Sequence, residues 1–167
     1  MIVALKLRAR IITLALASGL GSLLLHGPVL AAAPKAELWP RWQTHDKNSD
    51  LTLDHSVWGR FLSAFVKTDQ VGAMSVDYRN IHPADRAMLD AYIAYLEGVR
   101  TRRLNGDAQM AFRINLYNAL TVRLVRDHYP LKTIRDIDIS PGWFADGPWG
   151  AKLATVDVHQ LSLDEIE

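Results

Sequence analysis

Residues 109–130, QMAFRINLYNALTVRLVRDHYP, constrain this chain most. At about 100° per residue, Met110, Ile114, Tyr117, Leu120, Thr121, Leu124 and Val125 share one broad face, while Arg123, Arg126 and Asp127 lie opposite, which predicts a long amphipathic helix. Asp107 is a fitting cap for its start, and it must stop by Pro130 because the residue before a proline is pushed out of helical geometry. Asn115 and Asn118 fall on the border between the faces and are expected to bond the backbone of a neighbouring loop. Arg113 lines up with Leu116, Leu120 and Leu124 at the edge of the apolar stripe. A guanidinium placed there must snorkel outward or find a carboxylate such as Glu97 or Asp107, because an unpaired buried charge is costly.

Two further helices precede it. Ser56 can cap one that runs to about Val66, with Trp58, Phe61, Leu62 and Phe65 on its inner face. Ala73 to Tyr78 reads as a short extended piece. His82-Pro83 then opens a second helix, whose buried stripe is Leu89, Tyr92, Ile93, Leu96 and Val99, and Asn105-Gly106 ends the connection. Downstream, 133–139 is a turn or single helical turn, and 141–150 is a loop whose Trp143, Phe144 and Trp149 must bury aromatic area. Lys152 to Val156 alternates as a strand, and Val158 to Leu161 can return beside it, although Asp157 alone makes a poor turn. Ser162-Leu163-Asp164-Glu165 is a capping box that starts a helix, yet Glu167 follows about half a turn later. Half a turn cannot stabilise itself, so a truncated, marginally stable domain is expected. The expected class is α+β, mainly helical: three helices plus a short β-hairpin, with a C-terminal helix cut off.

The amino terminus reads differently. Lys6, Arg8 and Arg10 precede an apolar run from Ile11 to Leu25, which Gly27-Pro28 and small residues terminate, as in a secretory signal over residues 1–31 cleaved after Ala31. The run is short for a bilayer span of roughly twenty residues, and an uncleaved inner-membrane anchor is the alternative. A periplasmic or secreted location follows, with no membrane attachment once the leader is removed. Residues 32–52 form an irregular lead-in, and the domain proper occupies 53–167. Within the lead-in, DKNSDLTLD spaces Asp46, Asn48, Asp50, Thr52 and Asp54 like a calcium loop, but Leu51 replaces its turn glycine and Val57 its bidentate glutamate. A hydrated turn capped by side chains is the better reading, and no metal is expected.

Composition excludes several functions. The leader would take three of 19 basic residues and none of 18 acidic ones, leaving a slightly acidic remainder with Arg100, Arg102 and Arg103 as its one dense cationic patch. That patch reads as a solvated helix end, and no nucleic-acid partner is expected. With no cysteine, the chain has neither disulfide nor thiol nucleophile. There is no G-x-S-x-G elbow, phosphate loop or H-E-x-x-H, and His45, His55, His82, His128 and His159 are scattered without metal-ligand spacing. A catalytic reading would gather Asn118, His128 and Glu165 around a nucleophile that the chain lacks. A binding reading would use Trp143, Phe144 and Trp149 as an aromatic platform. Neither cofactor nor partner is indicated.

Taken in order, LDHSVW from Leu53, the I-N-x-Y-N-A-L-T-V core, DHYP followed by IRDI, then GPW and LSLDEIE resemble the bacterial members of the domain of unknown function 547 family, over roughly two thirds of the chain. The resemblance implies a continuation with a histidine just after the I-E pair and a later cysteine-bearing segment. It also implies a tryptophan where this chain has Arg113. Family chemistry of a thiol-dependent hydrolase or acyltransferase kind would need that later Cys/His segment. The chain is therefore expected to be an exported family domain without catalysis of its own, the alternatives being the front part of such an enzyme or a periplasmic binding module. His55 and His128, which lie within the shared motifs, are the histidines to test first.

Overall fold

The computed structural model describes residues 39–142 and 147–167; the leader with its cleavage point after Ala31, and Trp143 and Phe144 of the aromatic loop, lie outside the described residues. The fold is α+β and mainly helical. A 3-10 turn at Pro40–Gln43 leads to helix α1 (Ser56–Phe65), the strands β1 (Val66–Thr68) and β2 (Met74–Val76), helix α2 (Pro83–Glu97) and helix α3 (Gly106–Asp127). After a 3-10 turn at Ile134–Asp136 come the strands β3 (Ala154–Val156) and β4 (His159–Leu161) and the single-turn helix α4 (Leu163–Ile166).

With 22 residues, α3 spans about 33 Å at the usual helical rise, and α2 and α4 both pack on it. Its buried residues are Gln109, Phe112, Leu116, Ala119, Leu120, Val122 and Leu124. This corrects the sequence reading of the inner face: Met110 and Ile114 are 57% and 54% exposed. The helix carries apolar residues on two adjacent stripes, and the core took the one through Phe112 and Leu116, because α2 and α4 approach from that side. A second correction concerns the cap. Asn105, not Asp107, accepts from the Ala108 amide at 2.9 Å, and its own amide donates to the Ser49 carbonyl at 2.8 Å. In α1 the cap likewise sits earlier than Ser56, since His55 is the boundary residue and the Asp54 carboxylate accepts from the Ser56 amide at 2.8 Å.

The stripe read for α2 is buried at Leu89, Tyr92, Ile93 and Leu96, and α1 packs against it through Trp58, Phe61 and Phe65. Trp58 stacks between Phe61 and Tyr92, with ring centroids 5.5 and 5.8 Å away. The lead-in contributes to the same core, because Trp42 is 2% exposed and tilts against Phe112. Its acidic stretch is a capped turn: Asp46 accepts from the Asn48 amide and Ser49 from the Leu51 amide.

Residues 74–76 are extended as the sequence reading expects, but their pairing with β1, with Val66 opposite Val76, is absent from that reading. The Asp69 carboxylate closes its loop by accepting from the amides of Val71 and Ala73, both at 2.9 Å, and Gly72 supplies a positive φ of 83°. At β3–β4 the hairpin is present as expected, but its turn is the pair Asp157-Val158, both in the left-handed region at φ 47° and 65°. Asp157 is held there by Thr101, whose hydroxyl and amide both donate to its carboxylate. Val158, β-branched and 93% exposed, has no such anchor. A left-handed conformation costs such a residue about 1–2 kcal/mol, so Val158→Gly is expected to raise stability by about 1 kcal/mol in denaturant titration. A loss instead would show that the turn is not strained.

The short α4 is not self-supporting. Leu163 and Ile166 are buried, and Ser162 and Glu165 form the expected capping box. The Trp42 indole donates to the Glu165 carbonyl at 2.8 Å, and Arg113 donates to the main-chain oxygens of Ile166 and Glu167. Tertiary partners thus meet the nucleation cost that a single turn cannot meet alone.

Candidate functional site

Four residues of α3 spaced as Arg113, Ile114, Tyr117 and Asn118 fall on one helical stripe and face Ile166 and Glu167 at the end of α4, enclosing a cleft of about 270 Å³. The capping box and the Trp42 and Arg113 bonds place α4, so the cleft follows from the same contacts that order the end of the fold.

Arg113 bonds neither Glu97 nor Asp107, the partners proposed from the sequence, and turns to the end of α4 instead. Its Nε donates to the Ile166 carbonyl at 3.1 Å and a terminal nitrogen to the main-chain oxygen of Glu167 at 2.6 Å. The guanidinium lies 5.6 Å from the centroid of a Trp42 ring, and burial draws its pKa down. An arginine has five N–H donors, so these two bonds leave part of the fork unspent. Tyr117 is half-buried beside it. Burial raises its hydroxyl pKa, the charges of Glu167 and Asp164 raise it further, and a hydrogen bond with Trp149 opposes them. Asn118 is exposed, and neither it nor Asn115 bonds a described residue, so the loop-anchoring role expected for them is absent there. The physical reason is the rotation of the inner face, which carries Asn118 outward.

The three residues of the catalytic reading do not converge. Asn118 lies within α3 and His128 caps its C-terminal end ten residues on, about 15 Å away along the helix axis. His128 meets the Leu124 carbonyl with Nδ1 at the C-terminal end of α3. Glu165 is engaged by Lys152 and by the amide and hydroxyl of Ser162. Its burial raises the carboxyl pKa, but those hydrogen bonds together hold it below the usual value. Of the aromatic loop, Trp149 is half-buried, packs against the core and lies beneath the Arg135 guanidinium. Its main chain accepts from the Asp164 amide, and its ring fills the space into which any side chain at Gly147 would project. Sequence reasoning singled out Asn118 and missed Ile114, Tyr117, Ile166 and Glu167 as neighbours. The usable signal was Arg113, a cation at the edge of an apolar stripe.

A second groove, of about 360 Å³, runs between α1 and α2 and is lined by Asp54, Val57, Arg60, Met88, Ala91, Tyr92 and Tyr95. Its polar groups largely satisfy one another: His55 Nδ1 bonds the Tyr92 hydroxyl at 2.7 Å, and the Asp54 amide donates to the Tyr95 hydroxyl at 3.0 Å. Burial lowers the His55 pKa from its usual 6.5, against the opposing charge of Asp54. A depressed histidine pKa means that the unfolded chain binds the extra proton first, so stability is full above about 6.5 and is lost as pH falls through the folded value. That slope below pH 6.5 should disappear in His55→Asn, measured by urea unfolding across pH 5–8; an unchanged slope would place its source elsewhere.

Among the described residues no cluster of histidine, aspartate or glutamate is arranged to hold a metal ion, and no helix is long and apolar enough to cross a membrane. Comparison with family models, curated proteins and solved structures finds no match to this chain.

Proposed function

We propose that this chain is an exported domain of the domain of unknown function 547 kind that binds a small ligand in the cleft between α3 and α4, and that it has no catalysis of its own. One observation supports this reading above the others: an arginine with unspent donors, a half-buried tyrosine and an exposed asparagine line one cleft together with Ile114 and Ile166. Small-ligand sites have that constitution, with apolar walls and a few placed polar groups. The groups of the catalytic reading are apart or already engaged, and the chain has no thiol. The reading of the chain as the front part of a thiol-dependent enzyme has no comparable arrangement in its favour.

Asn118 separates binding from folding. Exposed and without a described partner, it should be replaceable by alanine with a change in stability of under about 0.5 kcal/mol. A thermal-shift screen of small polar metabolites is expected to give stabilising compounds whose effect is lost in Asn118→Ala. Hits that survive in that variant, or hydrolysis of activated esters by the wild-type chain, would overturn the proposal.

A further inference from the structure

The groove between α1 and α2, at about 360 Å³, is larger than the α3–α4 cleft and shares no lining residue with it. Its two helices run antiparallel, since Asp54 meets Tyr95 whereas Trp58, further along α1, stacks on Tyr92, earlier in α2. The same register brings Arg60 to the Met88 end. Along α2 the two turns from Met88 to Tyr95 span about 10 Å. Ala91 lies between them, and so small a side chain at an exposed position leaves the groove open. The floor offers few free polar groups: the Tyr92 hydroxyl is bonded to His55, the Tyr95 hydroxyl accepts from the Asp54 amide, and Val57, Met88 and Ala91 are apolar. Two charges stand at the rim, and they are not equally engaged. The Asp54 carboxylate accepts from the Ser56 amide at 2.8 Å, and this bond with that of the Ser56 hydroxyl holds its pKa below the ordinary value. Arg60 is exposed, and its charge is felt at Asp54, but its guanidinium donates to no described residue. Its five donors are therefore unspent.

We infer that this groove is a second ligand site, for a monocarboxylate with an apolar body: the carboxylate sits on the Arg60 fork at the Met88 end, and the body runs along Val57, Ala91 and Tyr92 toward Tyr95. A planar guanidinium can give a carboxylate two parallel donors, and apolar walls with a few placed polar groups are the constitution of small-ligand sites. A cationic ligand gains less, because Asp54 is exposed and already bonded by Ser56. An aryl-alkyl acid suits the lining, since its ring packs favourably with tyrosine rings and with the Met88 thioether. The site is independent of the α3–α4 cleft, which takes small polar compounds.

Isothermal titration of the full chain with 4-phenylbutyrate, 4-phenylbutanamide and 4-phenylbutylamine tests it, because only the first carries the anion. The acid is expected to bind about tenfold more tightly than the amide or the amine, the effect of hydrogen bonds to a charged group. Arg60→Gln, a change at an exposed side chain, should bring the acid down to the affinity of the amide and leave the amide unchanged. Ala91→Leu fills the groove with a good helix former at an exposed position, so the fold is kept and both compounds should lose binding. Equal affinity for acid and amide, an indifferent Arg60→Gln, acid binding that survives Ala91→Leu, or no binding of the acid would overturn the inference. Asn118→Ala should leave the acid's affinity unchanged. Loss of acid binding in that variant would move the ligand to the α3–α4 cleft and overturn the second site, whereas the cleft reading itself fails on a polar screen without any compound sensitive to Asn118→Ala.

Discussion

Trp42→Ala is expected to cost about 4 kcal/mol, within the range for deleting a buried tryptophan. The residue sits in a single 3-10 turn of the lead-in, yet it is 2% exposed and joins three parts of the fold. Its ring tilts against Phe112 of α3 at 6.4 Å, its indole nitrogen donates to the Glu165 carbonyl of α4, and Arg41 and Arg113 both lie over it. Removing it opens a cavity, leaves the Glu165 carbonyl without its donor and strips two cations of their aromatic contact. Trp42→Phe keeps most of the volume and loses the indole hydrogen bond, so a smaller cost of about 1–2 kcal/mol is expected. Guanidinium titration with an unchanged denaturant slope would read both values. A loss below 1 kcal/mol for the alanine variant would show that the lead-in is not part of the folding unit.

Arg113→Ala is expected to cost about 2 kcal/mol, from two charged hydrogen bonds to main-chain oxygens and a cation–π contact. The side chain holds the end of α4, so faster amide exchange at 163–167 should accompany the loss in stability. Arg113→Trp decides between two accounts of this position. If arginine were only a misplaced charge on an apolar edge, tryptophan would stabilise the fold. The bonds to Ile166 and Glu167 imply a net loss instead, because tryptophan has one donor and cannot reach two adjacent main-chain oxygens as the guanidinium does. A raised unfolding midpoint in Arg113→Trp would contradict the capping role.

Much of the secondary structure was legible. Pro83, the run from Leu89 to Leu96, the capping box at Ser162 and the alternation around Thr155 all act through neighbours within one or two turns, and each led to the right element. The extended piece at 73–78 was legible but its pairing with β1 was not, since a three-residue strand directly after a helix carries too little alternation to distinguish it from a fraying helix end, and the Asp69 contacts that close the loop are not a pattern of hydrophobicity. The Asp157-Val158 turn broke the rule that left-handed positions go to glycine or asparagine, and the Thr101 contacts that hold Asp157 lie 56 residues away. Of the candidate site, Asn118 and the unusual position of Arg113 were visible. Their neighbours Ile166 and Glu167 were not, because they come from a different element.

By itself the sequence determined the helices, the second hairpin, the class of fold and the lack of a thiol, because these depend on local spacing and residue type. Tertiary structure alone decided which of two apolar stripes on α3 turns inward, what satisfies Arg113, and how a single helical turn at Leu163–Ile166 stays formed. Each of those outcomes depends on groups brought together from distant parts of the chain. Trp42 and Glu165 are 123 residues apart, and Arg113 and Ile166 are 53 apart. Periodicity reports on neighbours a few residues away and is silent at that range.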